Sequence, residues 1–337
     1  MNILLVRIGR LGDIVMILPA LRSLIYHNPE AKIHAVTSPD GIRLLKTAGI
    51  PEANMVRYRH TLVHRLMDVR HVKHFLATHH FDKIYCFETK KRTVSWLPSD
   101  TYVLKNQQEL EHYALRCLKL VEPGLSELHQ NHYLTFKRDQ TPSLNALLAE
   151  HNITPTTLLI GFHPTYSGYG KWGKKREQIH RLWCWKNFAK LSYLFADYAH
   201  QQKIDLKIIM DLLPEEQSLG LKIKQHGANN IVILNNKPDF NRYLCYINRL
   251  NLLIVPNTGV MHLAAALGTP MVALFSHLHP NDCGPYMPPH KFIVLRSENT
   301  LKPHLGLNAI SVDDVFCNAI QLLNLKGSCL NDNPYHP

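Results

Sequence analysis

Apolar residues along the chain fall in short runs that alternate with stretches of helical period. Residues 3–6 read as a buried strand, and a turn containing Gly9 and Gly12 leads from it into a helical pattern over 13–26. Residues 33–37 read as the next strand, followed by a short helix near 42–48. Strands are predicted at 55–58 and 83–86, with helices at 65–79 and 107–121. Brief apolar strands separated by helices predict a parallel sheet covered on both faces.

The alternation stops at 135–155, where charged and polar residues mix with Pro142 and Pro155, and then restarts. Strands are predicted at 158–162, 206–210, 231–234, 252–255, 271–275 and 292–295. Helices are predicted at 185–200, 214–226, 240–249, 261–267 and 312–325. This spacing predicts an α/β protein of two Rossmann-like domains, 1–150 and 151–337, the second ending in a closing helix. Such folds bind ligands at the carboxyl ends of their strands, so a cleft between the two parallel sheets is the expected site.

A length of 337 residues agrees with two domains, and the charge balance narrows the ligand. Lys and Arg exceed Asp and Glu by 12. Residues 57–92 hold nine basic residues against three acidic, and 171–190 hold seven against one, so these windows account for the whole excess. Two basic patches on a neutral background point to anionic partners. The chain has no run of about 18 apolar residues, so no transmembrane helix is expected. Its start lacks a basic segment ahead of the first apolar run, so no secretory signal is expected. Seven cysteines without a C-x-x-C pair argue against zinc ribbons and disulfide frameworks and for a reducing cytoplasm. Nucleic-acid binding is not expected, because no known motif accompanies the basic patches.

Three segments carry candidate chemistry. In Arg7-Ile8-Gly9-Arg10-Leu11-Gly12-Asp13 the glycines permit a tight turn after the first strand. The spacing is neither G-x-G-x-x-G nor a P-loop. Asp13 is open to two roles, a helix cap or a catalytic base. In Asn257-Thr258-Gly259-Val260-Met261-His262, a polar turn opens a helix of small residues. Its hydroxyl and first amides suit a diphosphate. His262 is either a ligand contact or a core histidine. The stretch 163–176, with Thr165, Tyr166 and Lys171, continues to Arg181 and joins hydroxyls to cations after a strand, which suits phosphate. The alternative there is a solvated loop.

Together these segments resemble glycosyltransferase family 9, the bacterial lipopolysaccharide heptosyltransferases. The family's R-x-x-x-L-G-D turn, followed by an apolar helix with a proline, is matched by Arg7, Leu11, Gly12, Asp13 and Pro19. Its D-T-G-P-x-H-L-A-A-A-L-G-x-P segment is matched from Asn257 to Pro270. Its K/R-x-W segment is matched by Arg181-Leu182-Trp183, with Lys171-Trp172 as a rival alignment.

The resemblance implies a GT-B fold with acceptor bound by the first domain and nucleotide sugar by the second. It implies an inverting, metal-independent transfer of a heptose or related hexose-type sugar from a nucleotide-diphosphate donor, ADP-heptose in the first instance, to the lipopolysaccharide core. Asp13 is then the base. Thr165, Tyr166, Lys171 or Arg181, Thr258 and Gly259 hold the donor, with Asn257 and His262 beside it and Glu215 or Glu216 on the ribose. No cofactor is implied beyond the nucleotide sugar as co-substrate. Two departures stand out: Asn257 replaces the family's acid, and Ser276-His277-Leu278 replaces its Gly-Pro-Thr. They keep open a second reading, a catalytically weakened homologue that binds a nucleotide sugar or glycan.

The first basic patch, which includes His60, His64, His71, His74, His79 and His80, lacks the cysteine or carboxylate pattern of a metal cluster. It reads either as a solvated helix face or as a surface for anionic lipid or an acidic acceptor. On the latter reading Arg10, Arg57, Arg59 and Arg65 face the acceptor or membrane. The protein is then cytoplasmic and peripheral on the inner membrane.

Overall fold

The strand β1 (Asn2–Arg7) is apolar at every inner position because both faces of its sheet are covered. It pairs in parallel with β2 (Lys32–Thr37) and β4 (Lys83–Cys86), while β3 (Met55–Arg57) and β5 (Tyr102–Val103) form the edges. In the second sheet β6 (Leu158–Phe162) pairs with β7 (Leu206–Asp211) and β9 (Leu252–Pro256). The strands β8 (Ile231–Leu234), β10 (Met271–Phe275) and β11 (Phe292–Arg296) complete it. The orders are β3-β2-β1-β4-β5 and β11-β10-β9-β6-β7-β8, all parallel. Each sheet thus reverses its winding at one point, between β1 and β4 and between β6 and β9, where doubly wound folds bind ligands. The two-domain parallel α/β reading holds.

This computed structural model describes residues 1–59, 62–89, 91–105, 110–124, 142–166, 180–234 and 238–324, the side chains of 62–66, 91 and 92 excepted. The chain divides into Met1–Phe136 and Lys137–Pro337. The division lies within the proline-marked 135–155 segment. The helix Pro142–Ala149, which a cut at 150 leaves with the first domain, packs against Phe240–Arg249 of the second unit.

The single helix expected over 13–26 is two, Leu11–Val15 and Leu18–His27. Pro19 accounts for the break. In a continuous helix its ring would strike the Val15 carbonyl, whereas in the first turn of a new helix its missing N–H costs nothing. Leu62–Thr78 and Tyr113–Val121 cover the other long helices of the first unit. The first core joins Leu4, Val6, Val36, Val72 and Ile84 across the sheet–helix interface. The second gathers Phe162, Phe188, Phe195 and Trp183 under the helix Trp185–Gln202. Each such side chain contributes about 1.5–3 kcal/mol on burial, so the sheets are rigid supports for the loops at their ends. Among the described residues no helix is long and apolar enough to cross a membrane.

Candidate active site

At the carboxyl end of β1 the chain doubles back so closely that a β-carbon on Gly9 would stand 2.4 Å from the Asp13 Cβ. Glycine is what lets the Asp13 side chain fold over the turn. The Arg10 backbone N–H donates to Asp13 Oδ2 at 2.8 Å, and Arg7 Nη2 donates to Oδ1 at 3.0 Å. Asp13 therefore does cap the helix Leu11–Val15. Its side chain is nonetheless 36% exposed, and each carboxylate oxygen keeps a further lone pair for a ligand. Cap and base are compatible.

Glu88, which the sequence reading passed over, lies at the neighbouring strand end. Its Oε1 accepts Arg7 Nη1 at 3.0 Å and the Ile8 backbone N–H at 2.8 Å. The Arg7 guanidinium also lies over the Tyr113 ring, 4.8 Å from its centroid. An acid two positions past a buried apolar strand was the available signal.

The expected acceptor cations separate. Arg10 and Arg57 are exposed. Arg59 is not available as expected: its Nε and Nη2 donate to the Oδ2 and Oδ1 of buried Asp68 at 3.1 and 2.9 Å, and its backbone N–H donates to Oδ2 at 2.7 Å. A guanidinium committed to a buried carboxylate is a structural tie between the segment just after β3 and the helix Leu62–Thr78. The Arg65 side chain lies outside the described residues, as do His60 and the side chain of His64.

In the second unit, adjacency of β6 and β9 puts the segment after Phe162 beside the turn after Pro256. The His163 backbone N–H donates to the Ile254 carbonyl at 3.1 Å. Burial pushes the His163 imidazole down to about 4, so the ring is neutral at physiological pH. Thr258 lies two residues past β9 and is the N-cap residue of the helix Gly259–Leu267, which begins two residues earlier than expected. Its hydroxyl makes no hydrogen bond to its own helix or to any other described group, although the residue is 5% exposed. The Gly259 and Val260 amides, the first two of the helix's opening turn, have no acceptor within it by its geometry, whereas the Met261 amide donates to the Thr258 carbonyl at 3.1 Å. His262 is buried on that turn. Asn257 Nδ2 donates to Cys283 Sγ at 3.5 Å.

Of the two candidate cations, Arg181 is the one among the described residues; Lys171 lies outside them. The Arg181 guanidinium lies over the Tyr166 ring, 5.1 Å from its centroid. The residue before it is tied by Ser276 Oγ, which donates to the His180 carbonyl at 2.7 Å. Ser276 follows β10, so three neighbouring strand ends hold Tyr166, Arg181 and Thr258. Of the two candidate acids, Glu215 is exposed and Glu216 is buried. Burial raises the Glu216 carboxyl above its usual range, against the opposing pull of the Thr165 hydroxyl and the Leu213 N–H. Glu216 is thus the buried one of the two acids, beside Thr165, and Glu215 the solvent-facing one.

Asp211, at the end of β7, is a second residue the sequence reading missed. Burial pushes its carboxyl from an ordinary 3.8 up to about 6; Arg242 opposes the rise and Glu216 adds to it. Between these two pH values the folded protein holds a proton that the unfolded chain has released, so stability falls as pH rises through the window. At neutral pH the ionised form therefore carries a cost, on the order of 2–3 kcal/mol at 1.36 kcal/mol per unit. The variant Asp211→Asn is expected to melt at a higher temperature than the parent at pH 7, with the difference closing below pH 4. Equal melting temperatures at pH 7 would show that the ionised carboxylate carries no such cost.

Residues 175–306 match the family model of glycosyltransferase family 9 (heptosyltransferase). No curated protein matches the sequence. Solved structures share the fold over nearly the whole chain. A family 9 glycosyl transferase from Veillonella parvula superposes with a TM-score of 0.78 at 19% identity, covering 97% of this chain and 98% of that one. The ADP-heptose lps heptosyltransferase II of E. coli gives 0.72 at 17% identity, covering 97% and 100%. The E. coli heptosyltransferase WaaC with ADP gives 0.68 at 14% identity, covering 96% and 100%.

Proposed function

We infer that this chain, which carries a glycosyltransferase family 9 domain, transfers a heptose or related sugar from a nucleotide-diphosphate donor to the lipopolysaccharide core. The observation that carries the reading is the convergence, within that domain, of Thr258 and its helix amides with Arg181 at neighbouring strand ends. Amides at a helix N-terminus and a guanidinium both favour a diphosphate and the charge it gains on leaving. The similar E. coli structures named for ADP-heptose and ADP support ADP-heptose as donor. Glu216 accepts from the ribose hydroxyls on this reading, with Thr165 and Tyr166 lining the phosphates and Asn257 and His262 near the sugar.

Asp13 takes the proton of an acceptor hydroxyl. The freed oxygen pair forms the new bond to the anomeric carbon, and the bond from that carbon to the diphosphate breaks with its electrons leaving on the nucleotide. Attack opposite the leaving group inverts the anomeric centre. Arg10 and Arg57 serve an anionic acceptor or a cytoplasmic membrane surface.

The test is a thermal-shift series with ADP, GDP and UDP followed by transfer from ADP-heptose to lipopolysaccharide core lacking its heptoses. A ligand at one hundred times its Kd stabilises by about 2.7 kcal/mol. A rise of several degrees with ADP alone, lost in Thr258→Val with Arg181→Ala, is the expected result. Stabilisation by UDP or GDP instead moves the donor assignment. Asn257, uncharged and turned to Cys283, supports the second reading, a binding module. Donor binding without transfer or donor hydrolysis would favour that module over the enzyme.

A further inference from the structure

Arg7 sits between two carboxylates. One is Asp13, a third exposed, and the other is Glu88, whose side chain is only 4% exposed. The Arg7 side chain is itself 12% exposed, so whatever happens to its charge happens largely away from water. Tyr113 and Cys117 close the surroundings. Burial raises the Tyr113 hydroxyl far above its usual range and the Cys117 thiol to about 12, so neither supplies an anion. Arg116 lies near the same Tyr113 ring, at 6.0 Å from its centroid. Among the described residues the anions facing Arg7 are therefore Asp13 and Glu88.

We propose that Glu88 is a positioning residue for the transfer reaction: it is the permanent counter-ion of Arg7, and it frees Asp13 to accept a proton. This rests on the reading of Asp13 as the base. Before proton transfer the trio carries one net negative charge, from two carboxylates and one guanidinium. When Asp13 takes the acceptor's proton it becomes neutral and its attraction for Arg7 ends. With Glu88 in place Arg7 still holds an ion pair through Nη1 at 3.0 Å. Without it the same step leaves a largely buried guanidinium uncompensated, which opposes the transfer. Glu88 Oε1 also accepts the Ile8 backbone N–H at 2.8 Å, so the counter-ion is fixed to the turn that carries the base.

The substitution Glu88→Gln separates charge from geometry, because a glutamine Oε1 can accept the same two N–H groups. In transfer from ADP-heptose to heptose-free core, Glu88→Gln is expected to lower kcat about tenfold or more, the size of one close charge interaction. KM for the nucleotide sugar is expected to stay unchanged and the fold to melt within a few degrees of the parent. Glu88→Asp, which keeps the charge, is expected to recover most of the loss. In an Asp13→Asn background Glu88→Gln is expected to cost nothing further, since there is no carboxylate left to protonate.

Four results would overturn the role of Glu88 alone: unchanged kcat in Glu88→Gln, an equal loss in Glu88→Asp, a parallel rise in KM, or an undiminished loss in the Asp13→Asn background. If Glu88→Gln does not fold, the charge-retaining Glu88→Asp decides: turnover near the parent supports the role, and loss as complete as in Asp13→Asn overturns it. Near-parental turnover in Asp13→Asn by itself, or no transfer by the parent, overturns the base reading and the role of Glu88 with it. The two failures are thus told apart by which single variant is silent.

Discussion

Asp13→Asn is expected to lose transfer by about 10²–10⁴-fold, the range a positioned general base contributes, while binding nucleotide as the parent does. The asparagine matters because Asp13 has two roles in the structure. Its Oδ2 caps the helix Leu11–Val15 by accepting the Arg10 N–H, and its Oδ1 meets Arg7. An amide oxygen can still accept the capping bond, so the helix start survives, whereas an amide cannot take up a proton at neutral pH. Asp13→Ala removes both and adds a capping loss of about 1 kcal/mol. If Asp13 were only a cap, Asn would behave as the parent and Ala would be less stable but active. If it is the base, both variants are equally inactive and differ only in melting temperature. The side chains proposed to bind the nucleotide lie in the other unit, so ADP-induced stabilisation serves as the control for a folded donor site.

That ambiguity was visible in the sequence as two readings of one acid, and the structure shows why neither had to yield. The strands were legible for a simple reason. Runs such as 83–86, 158–162 and 271–275 are buried on both faces, and a doubly covered strand has no polar alternation to disguise it. The edge strand Tyr102–Val103 is two residues long and offers no period to read. The helix break at Pro19 was legible in principle, and the amphipathic pattern around it masked the proline's effect on Val15. Within the site, Thr258 and His262 stood out because a polar turn between a strand and an alanine-rich helix is chemically unusual. Glu88 and Asp211 did not. An acid at a strand end looks like a solvated loop residue until the fold shows it buried. Arg59 failed in the opposite sense: its partner Asp68 is nine residues on, and only the packing of a helix against an edge strand brings the two together. Charge counting finds patches, but which of their members stay free is a tertiary property.

Trp183→Ala is expected to be the most destabilising single change in the second unit, costing about 3–5 kcal/mol as large aromatic truncations in cores do. The resemblance that drew attention to Arg181-Leu182-Trp183 concerned phosphate, yet Trp183 never reaches solvent. It is 1% exposed, its ring meets Phe188 edge-on at 5.0 Å, and its Nε1–H donates to the Ile310 carbonyl at 3.1 Å. The next residue is tied too, the Cys184 backbone N–H donating to Asn308 Oδ1 at 2.7 Å. These bonds join the start of the helix Trp185–Gln202 to the segment leading into the last helix, Val312–Asn324. Alanine leaves a cavity and an unpaired carbonyl, and against a typical margin of 5–15 kcal/mol that is a large share. With about 2–4 °C lost per kcal/mol in a unit of this size, melting should drop by roughly 10 °C. Trp183→Phe keeps most of the volume and loses the Ile310 bond, so it should fall between. Because Arg181 is two residues from this anchor, Trp183→Ala should also weaken ADP binding at temperatures where the unit is still folded, and Trp183→Phe should weaken it less. A variant that melts with the parent would show that the strand-end loops, not this buried ring, hold Arg181 over Tyr166.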